Sequence, residues 1–237
     1  MKILAVDTST LTGSVALLEM EGERASLLGE TTLSVSVQHS EQLIPAIRGF
    51  LSNAAVPISS IDLFAAAEGP GSFTGLRIGI ATIQGFAFSQ GKPTIGVSSL
   101  EALALSGLFF DGIVVPMLDA RRGEIYAAAY RFQQTLPVTI ERVVEETASP
   151  PDQFLRSLEG DRFLFLGEGA RTYRQFIREL IGEKGLLSPL DHPCASHLAL
   201  LAGQRYRQGT KRIQPKYIRS ADVTFPRRPF LPLDKAS

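Results

Sequence analysis

The chain has 237 residues, enough for one large domain or for two lobes that each bury a core. With 44% hydrophobic and 20% charged residues it has the balance of a globular protein, which excludes disorder over most of its length. Lysine plus arginine and aspartate plus glutamate each total 24, so the basic excess of a stand-alone nucleic-acid binder is absent, and a single cysteine, Cys194, excludes an intramolecular disulfide.

The first residues run straight into an apolar segment, Ile3–Val6, with no room for a signal peptide. No apolar run approaches the roughly 20 residues of a membrane helix, so the cytoplasm is the expected compartment. Ile3–Val6 ends at Asp7, and a hydroxyl-rich turn, Thr8–Thr12, leads to a second strand, Gly13–Leu18. A third strand is expected within Ala25–Val35. The period then changes. Leu43, Ile44, Ile47, Phe50 and Leu51 recur at helical spacing and predict a helix over His39–Asn53. A buried strand, Leu63–Ala67, follows, and the loop Glu68–Gly75 opens a helix over Leu76–Phe88. Thr94–Val97 is the next strand, and Ser98–Ser106 a short helix with Glu101 placed for a capping box.

From about Gly112 the order repeats. Ile113–Leu118 ends at Asp119, and the turn Ala120–Gly123 precedes strands over Glu124–Phe132 and Val138–Val144. Pro150–Leu158 reads as a helix, Phe163–Leu166 as a strand, Gly167–Ala170 as a loop, and Arg171–Ile181 and Ala195–Arg207 as helices. The repeat predicts two related α/β lobes, 1–106 and 107–219, each a mixed sheet flanked by helices, with an extended tail over 220–237.

Two loops are candidates for facing phosphate. Gly69, Gly71 and Gly75, with Ser72, form a strand-to-helix turn whose backbone N–H groups could meet an anion; equally, it is a tight turn without a ligand. Asp7, Thr8 and Ser9 could hold a phosphate–metal group or satisfy their own backbone. Neither loop is of the Walker type, since no Gly-Lys-Ser/Thr closes it. No metal site is expected: His39 has Leu43 where a second ligand would stand, and Pro193 interrupts His192, Cys194 and His197. Catalytic residues are not expected either, because no nucleophile elbow is present and nothing marks Cys194 as activated. Asp119–Glu124 puts two guanidinium groups beside two carboxylates; it could bind an anion, but reads rather as an internally paired surface turn. Between Arg205 and Arg219 six basic residues occur without an acid, which makes Lys211 and Arg212 candidates for RNA contact.

Ala5-Val-Asp-Thr-Ser-Thr10, Gly69-Pro-Gly-Ser-Phe-Thr-Gly-Leu-Arg-Ile-Gly79 and Asp119-Ala-Arg-Arg-Gly-Glu-Ile-Tyr126, with Gly167–Ala170 and Pro215–Arg219, resemble the signatures of the TsaB family, also called YeaZ. The resemblance implies an actin-like ATPase (ASKHA) fold of two related lobes. It implies a non-catalytic, activating role in making N6-threonylcarbamoyladenosine at position 37 of tRNAs that read codons starting with A. The implied partners are a TsaD-type catalytic subunit, a TsaE-type ATPase, tRNA through the complex, and a second copy when the chain is alone. No cofactor of its own is implied, although a nucleotide could lie at the complex interface. By analogy with the family's helical interface, Leu43, Ile47, Phe50, Ile80, Phe86 and Phe88 are the candidates for partner contact. Two other readings stay open: an ATPase or kinase on the same fold, and a tRNA-binding module using the basic stretch.

Overall fold

The computed structural model describes residues 1–34, 39–133, 139–210, 213 and 218. The first sheet contains β1 (Lys2–Asp7), β2 (Thr12–Glu21), β3 (Arg24–Ser34), β4 (Leu63–Gly69) and β5 (Thr94–Ser98), in the order β3-β2-β1-β4-β5. The second contains β6 (Ile113–Arg121), β7 (Glu124–Gln133), β8 (Thr139–Ser149), β9 (Phe163–Leu166) and β10 (Gly185–Leu187), in the order β10-β9-β6-β7-β8. Traced from the other edge, this is the same order. The pairings match too: in each sheet the first three strands form an antiparallel meander and the last two add in parallel.

Sequence explains the layering. Strands β1, β4 and β6 are covered on both faces and read as nearly unbroken apolar runs, such as Leu63–Ala67. Among the described residues three apolar clusters result. One lies under α1 (His39–Asn53) and α2 (Phe73–Gln90), on the outer face of the first sheet. Another lies under α4 (Pro151–Arg156), α5 (Glu168–Thr172) and α6 (Arg174–Leu180), against the second sheet. The third, between the sheets, joins residues of both halves, including Ile3, Leu63, Leu103, Val114, Tyr130 and Leu198.

The central layer is built from α3 (Ser99–Ala104) and α7 (Ala195–Arg207). Helix α7, which follows the second sheet in sequence, crosses back to pack on β1, β2 and β5 of the first, while α3 packs against β6 as well as β4 and β5. Ser98 caps α3 by accepting from the N–H groups of Leu100 and Glu101, the first half of the predicted capping box. The second half differs: the Glu101 carboxylate takes bonds from Arg142 and Arg205.

Two further expectations are corrected. Gly167–Ala170 is not a loop: Gly167, at φ 100°, is the cap from which α5 starts at Glu168. The single helix expected over Arg171–Ile181 is therefore two, because Tyr173 leaves helical geometry at φ −101°, ψ 23°. Strand β10 has no counterpart among the expected elements. It has three residues, too few to show a period, and two of them, Leu186 and Leu187, are exposed. The tail over 220–237 lies outside the described residues. No described helix is long and apolar enough to cross a membrane.

Candidate functional site

The two loops singled out for phosphate pack against each other. Ser72 N–H donates to the Ser9 carbonyl at 2.7 Å, and the Thr8 hydroxyl donates to the Gly75 carbonyl at 2.8 Å. Gly75 N–H is directed at Ser72 Oγ, which caps α2. The close approach explains the glycines. A Cβ on Gly75 would lie 2.0 Å from the Thr8 carbonyl oxygen, one on Gly71 2.4 Å from that of Ser9, and one on Gly79 2.3 Å from Thr8 Oγ1. Gly69 belongs to β4 and pairs with Ser98. The donors that a phosphate would need at Ser72 and Gly75 are thus engaged by the protein itself, and the geometry gives this loop a packing task.

Asp7 is the exception within this group. Its Oδ1 accepts from Ser9 N–H at 2.8 Å and Ser9 Oγ at 2.7 Å, while its Oδ2 is buried without a hydrogen-bond partner. Burial pushes its pKa up to about 6, against the lowering effect of Ser9 and of nearby His192. His192 in turn meets Asp191 at 2.9 Å. Cys194 precedes α7, and burial, with Glu30 and Asp7 close by, pushes its thiol up to about 11, so it is a poor nucleophile. His197 points Nδ1 toward the Ala102 carbonyl at 3.1 Å. Among the described residues no three of His, Cys, Asp and Glu converge as metal ligands.

The turn at Asp119 is internally paired. Arg121 N–H donates to Asp119 Oδ1 at 2.8 Å, and its guanidinium approaches Oδ2 at 3.3 Å. The basic stretch loses its first two cations to the fold, since Arg205 is bonded to Glu101 and the Gly96 carbonyl, and Arg207 to the Gly22 carbonyl. Lys211 and Arg212 lie outside the described residues.

The residues considered for partner contact divide. Leu43, Ile47 and Ile80 are core residues, 3%, 0% and 5% exposed, and the expectation that they form a contact surface is corrected: they are the inward stripe of their helices. Leu43, where a second histidine would have stood, fills this core. Phe50 and Phe86 are half-buried, and Phe88 is 91% exposed. Helix α2 carries one charged side chain, Arg77, in 18 residues, so its outer face is almost uncharged. Between the ends of α1 and α2 a groove of about 410 Å³ is lined by Leu51, Val56, Ile58 and Phe86 together with Arg48, Ser52 and Ser89. Sequence reasoning missed the convergence of one polar cluster: Glu101, Arg142, Arg205, Tyr130 and Glu146. In the sequence Glu101 and Arg205 read in other roles, as a capping acid and as part of a basic stretch, and nothing there brings them to Arg142, Tyr130 and Glu146.

The family model for TsaD, tRNA N6-adenosine threonylcarbamoyltransferase, matches residues 31–236. The chain is 34% identical to the tRNA threonylcarbamoyladenosine biosynthesis protein TsaB of Bacillus subtilis, over 94% of this chain and 96% of that one. It is 31% identical to the protein of the same name from Haemophilus influenzae, over 96% and 97%. The solved structure of YeaZ from Pseudomonas aeruginosa is similar at a TM-score of 0.74 and 30% identity, covering 92% of this chain and 100% of that one. With its paired sheets, its filled glycine loop and these similarities along nearly its whole length, the chain belongs to the TsaB (YeaZ) family, on a two-lobed actin-like α/β fold.

Proposed function

We propose that this protein is a non-catalytic, activating subunit in the synthesis of N6-threonylcarbamoyladenosine at position 37 of tRNA, working in the cytoplasm beside a TsaD-type catalytic subunit and a TsaE-type ATPase. The observation that carries this reading is the outer face of α2. An almost uncharged helix with Phe88 exposed, next to an apolar groove, is surface that water does not favour and that a partner would cover. The filled glycine loop supports the same division of labour, because the Ser72 and Gly75 N–H groups, which a kinase or ATPase would turn toward phosphate, are bonded within the chain. On this reading the chain holds no cofactor of its own, and any nucleotide lies at the interface with the catalytic subunit.

The test is co-purification with the TsaD-type subunit of the same cell, followed by a tRNA-modification assay with each component omitted. A complex is expected whose activity needs both chains. Phe88→Glu should keep the unfolding free energy within about 0.5 kcal/mol, as for an exposed site, while abolishing co-purification and modification. Full modification by the catalytic subunit without this chain would refute the proposal.

One observation favours a second reading, nucleotide binding with a metal ion held at the end of β1: the unpartnered Oδ2 of Asp7. Calorimetric titration of the isolated chain with ATP and magnesium decides it, with no heat of binding expected.

A further inference from the structure

In the central layer, polar side chains from both halves meet over a shared apolar core. Glu101, on α3 of the first half and 6% exposed, bonds Arg142 of β8 at 2.8 Å through one oxygen and Arg205 of α7 through the other. Arg205 also donates to the Gly96 carbonyl of β5 at 2.9 Å. A second carboxylate, Glu146 of β8, accepts from Ser98, the cap of α3, and from Tyr130 of β7 at 3.0 Å. Burial, together with the Glu146 and Glu101 carboxylates, pushes the Tyr130 pKa up, so its hydroxyl remains a donor. Beneath them, Leu100 and Leu103 of α3 share one cluster with Val114, Leu118 and Ala128 of the second sheet, and Leu198 and Leu201 of α7 share it with Ile3 and Ala5 of the first. Lobes that move relative to one another are joined by modest interfaces. Here, parting the two lobes would separate a continuous core and strip partners from two carboxylates, one of them buried.

We propose that the paired clasps at Glu101 and Glu146 lock the two lobes into one rigid body with a fixed relative orientation. The chain would then present its surfaces in a constant geometry instead of closing around a ligand. This inference does not rest on the identity of the partner, and a failed co-purification would leave it standing.

Distance measurement between spin labels tests it. Labels are placed at the exposed positions Glu23 and Glu183, one in each half, on a Cys194→Ser background, and the labelled chain is diluted into unlabelled chain so that only intramolecular distances are read. A single narrow distribution is expected, unmoved by added ATP and magnesium. Two populations, or a shift of several ångströms with nucleotide, would overturn the lock. Glu101→Gln combined with Glu146→Gln keeps side-chain shape while removing both charges, and should broaden the distribution. An unchanged width in this variant, with the fold intact by circular dichroism, would overturn the assignment to the clasps and leave the apolar core as what joins the lobes. If the double variant does not fold, the single variant Glu146→Gln is read in the same way.

Discussion

The two halves have the same strand order and pairings, yet their crossover helices differ. In the first half α1 and α2 run 15 and 18 residues; at the corresponding places in the second, α4, α5 and α6 run 6, 5 and 7. Both halves bring the glycine-marked start of a helix against their first strand or the turn after it: Gly75 against Thr8 after β1, and Gly169 against Met117 within β6. The acids at the strand ends also diverge. Asp7 is fully buried with one oxygen unpartnered, while Asp119 is partly exposed and paired with Arg121. The comparison teaches that strand order is set by the buried apolar runs common to both halves, whereas helix length and the polarity of the loops vary independently of it. Among the described residues the long, nearly uncharged outer helix occurs in one half only, and that is where a partner surface is proposed.

Gly75→Ala should break this arrangement most severely. Its Cβ would meet a backbone oxygen at 2.0 Å, and backbone cannot rotate away as a side-chain tip can. A loss of about 3 kcal/mol or more is expected, at the upper end for overpacking, measured by urea unfolding. Gly169→Ala is the matched change in the second half. Its nearest atoms, in the Met117 carbonyl group, stand at 2.9 Å, so a smaller loss of about 1–2 kcal/mol is expected. Equal losses would show that the two helix starts are equally constrained and would remove this contrast between the halves.

Asp7 sharpens the comparison through pH. Its folded pKa is raised, from 3.8 to about 6, so the folded state holds the proton more tightly than the unfolded state. Its burial therefore costs most above pH 6, and this cost is relieved as pH falls through 6 toward 3.8. The shift corresponds to about 3 kcal/mol at 1.36 kcal/mol per unit. Asp7→Asn should consequently stabilise the protein more at pH 8 than at pH 5, in denaturation series at both values. His197 acts in the opposite sense. Burial lowers its pKa below 6.5, so the stability it contributes is present above 6.5 and is lost as pH falls below it. In Asp7→Asn the loss of stability on acidification should thus be steeper than in the parent chain. Equal pH profiles would mean that Asp7 is not the source of the cost.

Much of this was legible in the sequence because it rests on local patterns. The helix over His39–Asn53 and the one over Ala195–Arg207 have the predicted bounds, since their apolar stripes continue from end to end. The glycine loop was legible as a turn, but not its purpose: glycine permits close approach without naming what approaches, and only the fold shows Thr8 and Ser9 in place of a ligand. The same limit applies to Leu43, Ile47 and Ile80, because helical spacing identifies an apolar stripe without saying whether a sheet or a partner covers it. The clasps were illegible for a different reason. Glu101, Arg142 and Arg205 are brought together only by the return of α7 across the first sheet, and Glu101 and Arg205 stand 104 residues apart in the chain.

The smallest effect is expected at Gly85, in the same helix as Gly75. Gly85 is exposed, and a Cβ there would meet nothing within 4 Å. Gly85→Ala should therefore raise the unfolding free energy by about 0.5–1 kcal/mol, because alanine has less freedom to lose in a helix. Its position gives this small gain a second use. Gly85 lies three residues before Phe88, on the same outer face of α2. If a partner packs closely on that face, the added methyl group should weaken co-purification even as the isolated chain becomes more stable. A gain in stability with pairing unchanged would place the partner elsewhere, and the uncharged face of α2 would need another explanation.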